Sequence, residues 1–351
     1  METKYTIKEK GEVMRIAIVT IYQAFNYGSF LQAYAMQKTL KKMGHEVTVL
    51  DCGSIQGYRK FRKMIALKKI VFTMNRFFAY EKDWKKLNIS NSVEDEFDVA
   101  VIGSDEVWNI KGKFEQWPQY LGEKINAKRL IAYAPSVGFS SPKELLADKR
   151  FIDGIRRFDA ICPRDNVTRD VCLKLSNKVT ERVIDPTLLM LEDWEALLPK
   201  VNSDSKYVVY YSYLDDSPMK NYILRFAKEH RLKVVIAGFD YSWGDQKRMV
   251  SPLGFLTLLK NAEYVFTSTF HGSVLSTILQ KKIMVRPSGQ KVIDYLELVG
   301  LSHRQFIDGM DYADFEKAVQ DEINYDEVRS IQHNMREKSM NILEKALNGL
   351  E

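Results

Sequence analysis

The stretch "RIAIVTIYQAFNYGSFLQAYAMQKTLKKMGHEVTVLD" runs from Arg15 to Asp51. It opens with a short apolar run rich in β-branched side chains, the pattern of a buried strand. The period then changes. Phe30, Leu31, Tyr34, Ala35, Met36 and Leu40 recur at helical spacing, and Gly44 supplies a C-terminal stop. "EVTVLD" reads as a second strand. A strand, a helix and a strand in so short a span form a β-α-β unit, which places the chain among parallel, doubly wound sheets.

The pattern continues downstream. "FDVAVIGSD" (97–105), "RLIAYAPS" (129–136) and "FDAICPRD" (158–165) read as strands that end in small or polar loops. "VIDPTLLM" (183–190) reads as the exit from this unit. A second series starts at "KYVVYYSY" (206–213) and continues through the strands "LKVVIAGF", "EYVFTS" and "KIMVRP" with helices between them. A chain of 351 residues is too long for one typical core and suits two. The expectation is an α/β fold of two Rossmann-like doubly wound domains facing a cleft. They span residues 14–190 and 200–310, and a polar helical segment, 311–351, follows. In such sheets ligands sit at the carboxyl ends of the strands.

Composition bounds the function classes. Hydrophobic content of 45% and charged content of 28% are ordinary for a globular protein. The net charge of +6 is mild, and no recognised nucleic-acid-binding module accompanies it. Cys52, Cys162 and Cys172 show no metal-ligand spacing and are too few for a disulfide framework, which fits a reducing compartment. The opening "METKYTIKEKGEV" has no apolar signal region, and no run approaches a membrane span, so a cytoplasmic location is expected. Residues 58–86 stand apart, with ten Lys/Arg, two acids and interleaved aromatics. That segment is either a solvated helical face over the sheet or a peripheral contact with an anionic membrane.

Six loops carry the candidate chemistry. In "YQAFNYGS", Asn26, Tyr27 and Gly28 open a helix whose free N–H groups suit an anion or a sugar hydroxyl. A plain helix start capped by Asn26 or Ser29 fits the same residues. It is not a G-x-G-x-x-G fingerprint, so no nicotinamide cofactor is indicated. In "GSDEVWN", Ser104 and Asp105 present oxygens at a strand end, or form an Asx turn beneath a packed Trp108. Ser136 in "YAPSVG" offers a hydroxyl. Arg164, in "CPRDN", suits a phosphate or carboxylate, or pairs with Asp165 or Asp185. "FTSTFHGS" places Ser268, Thr269, His271, Gly272 and Ser273 around a helix start, where an imidazole can give or take a proton. Arg286 ends the next strand. No pair of the five histidines has metal-ligand spacing.

"NYGSFLQAYAMQKTL", "GSDEVWN", "YAPSVG" and "SPLGFLTLLKNAEYVFTSTFHGSVLSTILQKK", in that order, resemble the polysaccharide pyruvyl transferase family from about Arg15 to Leu301. The resemblance implies a two-domain fold similar to GT-B glycosyltransferases. It implies transfer of a pyruvyl unit from phosphoenolpyruvate onto two sugar hydroxyls of a surface-polysaccharide precursor, lipid- or nucleotide-linked, with no further cofactor. His271 matches the family's acid/base. Arg164, Arg286, Ser268, Thr269, Gly272 and Ser273 then fall on the donor side, and Asn26, Tyr27, Gly28, Ser104, Asp105 and Ser136 on the acceptor side. Characterised members often carry an arginine just ahead of the histidine. Here Ser268-Thr269-Phe270 stands there, so Arg164 or Arg286 has to supply the charge. Two other readings are a GT-B glycosyltransferase using a nucleotide sugar and a non-catalytic sugar-binding protein at the membrane.

Overall fold

A computed structural model describes residues 12–51, 70–92, 94–112, 117–199, 206–215 and 217–349. The first sheet has six strands: β1 (Arg15–Val19), β2 (Glu46–Leu50), β3 (Ile89–Ser90), β4 (Phe97–Ile102), β5 (Ala127–Tyr133) and β6 (Ala160–Cys162). Their order is β3-β2-β1-β4-β5-β6, and every pairing is parallel. The second sheet holds β7 (Tyr207–Tyr211), β8 (Lys233–Ala237), β9 (Gln246–Arg248), β10 (Tyr264–Thr267) and β11 (Lys282–Val285). It runs β11-β10-β7-β8-β9, again all parallel. The order reverses between β1 and β4 in one sheet and between β7 and β10 in the other. Ligand crevices open at such reversals.

The strands are apolar on both faces because both faces are covered. Ile16, Ala17, Ile18 and Val19 are all fully buried. Alternate side chains along a strand point to opposite faces. Ala17 and Val19 pack into a core private to the first sheet, with Trp108, Phe151 and Phe158. Ile16 and Ile18 enter a larger core that also takes Val209, Tyr211, Phe255 and Val265 of the second unit. The two sheets therefore share one hydrophobic body. Trp108 is the packed residue of its loop, edge-on to Phe158 at 5.5 Å, with its indole N–H donating to Tyr120 O at 2.8 Å.

Two edge strands are absent from the sequence reading. β3 has two residues, and β9 is the polar triplet "QKR", so neither carries a hydrophobic period. The helix Ile70–Trp84 shows what the described part of 58–86 does. Tyr80 is buried and stacks on Tyr27 at 5.4 Å, and Asp83 accepts from Leu253 N at 2.7 Å. Met74 and Phe78 are left exposed on the same helix. The basic cluster Arg59, Lys60, Arg62 and Lys63 lies outside the described residues, as does Cys52. No helix among the described residues is long and apolar enough to cross a membrane.

The helix Tyr325–Asn348 ties the halves together. Arg129 Nη2 of the first sheet donates to the carbonyls of Ala346 and Leu347, each at 2.6 Å. Gln332 Nε2 donates to Thr277 Oγ1 at 3.1 Å and Tyr295 Oη at 3.0 Å on the second unit. Gly349 closes the helix at φ +99°, a left-handed position that favours glycine. Leu343 is fully buried in the shared core. Leu343→Ala should therefore cost about 2–5 kcal/mol, read as a lowered urea midpoint; a midpoint unchanged from the parent would place this helix outside the cooperative unit.

Candidate active site

The helix Phe270–Ile278 begins directly after β10, at the reversal point of the second sheet. Thr269 caps it, its Oγ1 accepting from Gly272 N at 2.9 Å. A side chain at 272 would come within 2.3 Å of Thr267 Oγ1 and 2.6 Å of Thr269 Oγ1, so only glycine fits this cap. His271 stands in the first turn and is buried. Its ring lies on Gly28, in the first turn of the helix Tyr27–Lys42 that follows β1. A Cβ at position 28 would sit 2.1 Å from His271 Nδ1. The two helix starts thus meet, glycine against imidazole, where the two reversal points face each other.

The other ring nitrogen faces a carboxylate. His271 Nε2 is 3.4 Å from Asp185 Oδ2 and has no hydrogen-bond partner. Asp185 caps the short helix Pro186–Leu189, with Oδ1 accepting from Thr187 N at 3.0 Å and from Thr187 Oγ1 at 2.8 Å. Its Oδ2 accepts from Arg164 Nη1 at 3.0 Å. Burial alone would raise the Asp185 pKa. His271, Arg164 and the Thr187 N–H outweigh that and hold it well below the usual carboxylate range. Burial likewise works against the Arg164 charge, and Asp185 and Asp105 more than offset it.

Arg164 is only partly used by these contacts. Its guanidinium lies over the Phe270 ring at 5.2 Å, and Nη2 is 3.8 Å from Asp105 Oδ1. Nε and Nη2 are buried and make no hydrogen bond. Asp105 itself sits at φ +67°, a conformation that costs a non-glycine residue energy and is often found at functional sites. Its Oδ2 accepts from Ser29 Oγ at 3.2 Å. Gln32 anchors the loop, accepting from Ser104 Oγ at 2.7 Å and donating to Thr20 Oγ1 at 2.9 Å.

A cavity of about 340 Å³ opens over this floor. Asn26, Ser29, Asp105, Glu106, Thr269 and His271 line it, with Phe139, Tyr213, Ser288 and Lys291 at its sides. Of the residues singled out in the sequence, Asn26, Asp105, Thr269 and His271 therefore share one cavity; Gly28 lies under the His271 ring, and Arg164 lines a neighbouring cavity of about 150 Å³ with Asp185, Arg182 and Lys338. The others line neither. Tyr27 is buried in an aromatic stack with Phe255 at 4.3 Å. Ser104 is spent on Gln32, and Ser136 Oγ accepts from Gly138 N. Ser268 Oγ bonds Ser212 Oγ at 2.8 Å, Ser273 Oγ donates to Thr269 O, and the Gly272 N–H is taken by Thr269. Arg286 is held in a two-pronged pair with Asp308, at 3.0 and 2.9 Å, away from the cavity. Asp185 was named in the sequence only as a partner for Arg164, a pair the structure shows at 3.0 Å, and not as a site residue, and Lys291 was missed. Asp185 precedes a proline and reads as an ordinary helix cap, and Lys291 looks like a surface lysine.

Two outcomes test the geometry. Gly28→Ala should push the imidazole out of place and cut kcat by about 10²-fold while melting cooperatively. Wild-type melting and kcat would show the ring does not depend on that contact. The second concerns pH. A carboxyl depressed in the folded state contributes stability above its unfolded pKa, and loses it as pH falls through the folded value. The Tm gap between wild type and Asp185→Asn should be largest above pH 5 and narrow as pH drops below 4. A gap independent of pH would contradict an ionised Asp185.

Comparison with known proteins fits this architecture. No curated protein matches the chain. A UDP-N-acetylglucosamine 2-epimerase structure superposes with a TM-score of 0.53 at 10% identity, covering 95% of this chain and 96% of that one. The Methanocaldococcus jannaschii UDP-GlcNAc 2-epimerase, in complex with UDP-GlcNAc and UDP, gives 0.52 at 12%, covering 93% and 99%. A UDP co-structure of MnaA from S. aureus gives 0.51 at 11%, covering 96% and 97%. These superpositions, over nearly the whole of each chain, establish the shared fold. The sequence model described as polysaccharide pyruvyl transferase matches residues 26–285, which contain both helix starts, Arg164, Asp185 and His271. The chain belongs to the polysaccharide pyruvyl transferase family and is a transferase.

Proposed function

We propose that the cavity transfers a pyruvyl unit from phosphoenolpyruvate to two hydroxyls of a sugar in a cell-surface polysaccharide precursor, with His271 as the acid. The observation that carries this is the buried group of His271, Asp185 and Arg164, in which Nε and Nη2 of the arginine make no hydrogen bond. The donor carries a phosphate and a carboxylate, and a planar guanidinium with free N–H groups binds either one. The cap of the His271 helix adds the positive end of a helix dipole.

The chemistry follows from the positions. Nε2 is turned to Asp185 and Nδ1 lies over Gly28, and the ring lines the cavity. The donor's methylene carbon takes a proton from the imidazolium as a sugar oxygen bonds to the neighbouring carbon. That hydroxyl's proton passes to the Asp105 carboxylate. The bond between this carbon and the phosphate oxygen then breaks. A second hydroxyl closes the ketal on the same carbon, and its proton leaves with the phosphate. Return of the proton from Asp105 to His271 resets the site, and no cofactor enters the balance. Asp185, ionised and buried, holds the imidazole in orientation.

A nucleotide-sugar glycosyltransferase is the second reading. The engagement of Arg286 by Asp308 favours it, because the donor pocket then has one arginine fewer. For either donor, a lipid-linked acceptor at the inner face of a membrane is consistent with exposed Met74 and Phe78 one turn apart on the helix that follows the basic run.

Purified protein given phosphoenolpyruvate and a panel of diol-bearing sugars should release phosphate. His271→Ala should lower kcat by about 10²–10⁴-fold, and Arg164→Lys should raise the KM for phosphoenolpyruvate. Phosphate release equal in wild type and His271→Ala would sink the proposal. Thermal stabilisation by nucleoside diphosphates but not by phosphoenolpyruvate would favour the second reading.

A further inference from the structure

Two aromatic rings on the cavity have no role in the donor chemistry. Phe139 is 65% exposed and Tyr213 is 51% exposed, although both line the cavity. They come from opposite halves. Phe139 follows β5 in the first sheet, and Tyr213 follows β7 in the second. The Tyr213 ring is held in place by neighbouring rings. Tyr213 is held edge-on by Phe239 at 5.6 Å and lies beside Tyr211 at 6.4 Å. The Phe139 ring reaches across to Gly289, where a Cβ would lie 3.6 Å from Cε1.

An exposed aromatic ring in a cavity wall offers a flat apolar surface that the C–H face of a ligand can cover. Phosphoenolpyruvate does not supply one. Its carboxylate and phosphate would meet the negative face of each ring. The remaining groups in the cavity select further. Beside the rings stand the carboxylates of Asp105 and Glu106, which accept from hydroxyls, while the arginine proposed to hold the donor's charge, Arg164, lines the neighbouring cavity with Asp185. Lys291 Nζ is already bound to Glu106 Oε1 at 2.6 Å.

We infer that Phe139 and Tyr213 form a stacking site for an uncharged pyranose of the acceptor, which lays its C–H face on the rings and turns its hydroxyls to Asp105 and Glu106. This rests on the reading of the cavity as a sugar-accepting site and adds where the sugar lies. A nucleobase would also stack, but its phosphates would face the two carboxylates.

The test uses the full chain with methyl β-galactopyranoside and methyl α-mannopyranoside as probes, followed by saturation-transfer NMR. Uridine monophosphate serves as competitor. The expected result is saturation of the axial ring protons of at least one pyranoside, cut five-fold or more in Phe139→Ala and in Tyr213→Ala, and kept in His271→Ala. Both ring substitutions are at exposed positions, and their melting temperatures check folding. No saturation of either pyranoside, equal saturation in the variants, or displacement by uridine monophosphate overturns the inference. Turnover separates it from the proposed reaction. If His271-dependent phosphate release is seen but both variants keep the wild-type KM for the acceptor, the stacking site is wrong and the reaction stands. If no phosphate is released yet pyranoside binding still needs the rings, the reaction is wrong and the site stands.

Discussion

One oxygen atom organises this molecule. Asp185 Oδ2 faces Arg164 of the first unit and His271 of the second, in a place closed to solvent. A buried ion group is seldom a net source of stability, because desolvation offsets the attraction. Losing one partner is different, since it leaves a charge buried and unpaired. Such an arrangement persists where it sets geometry, and here it fixes the histidine of one domain relative to the arginine of the other. Asp185 can serve both because its second oxygen is saturated by Thr187, which locks the carboxylate plane.

The topology delivers those groups to one point. In the first sheet β1 and β4 are neighbours at the reversal, and their following loops bring Gly28 and Asp105 together. In the second, β7 and β10 are the corresponding pair, and they supply Tyr213 and His271. Neither crevice alone holds a complete set. The first has carboxylates and no acid, and the second has an imidazole and a ring. The shared core of Ile16, Tyr27, Tyr211 and Phe255 sets the two crevices face to face.

Much of this was legible in the chain, and the limits have physical causes. The strands of the sheet interiors announce themselves because residues buried on both faces must be apolar, as in "RIAIV" and "YVVYY". The edge strands do not, because "QKR" packs little. His271 was legible from its place at a strand-to-helix turn, and the family resemblance sharpened its role. Asp185 was legible only as a partner for Arg164, because its second partner, His271, stands 86 positions away. Tyr27, Ser268 and Ser273 show the opposite error. Polar residues near a helix start look chemical in sequence, yet each is consumed by packing, by a neighbouring hydroxyl or by a backbone carbonyl. Arg286 looks free until Asp308, on a loop after the sheet, is seen to hold it. Local sequence gives periodicity; it does not say which side chain has already found its partner.

The contacts that join the halves are graded in strength. At the base lie the Asp185 group and the aromatic stack of Tyr27 on Phe255 and Tyr80, all buried. At the rim, Glu106 of the first unit pairs with Lys291 of the second, and both remain partly solvated. An ion pair at the solvent edge is worth about 1 kcal/mol or less. Parting the base would strand a buried carboxylate, at a cost of roughly 3–5 kcal/mol. Parting the rim would therefore cost less than parting the base. The contact between Asp185 and His271 belongs to the base, so the carboxylate that faces the histidine is also among the groups least able to part from their partners.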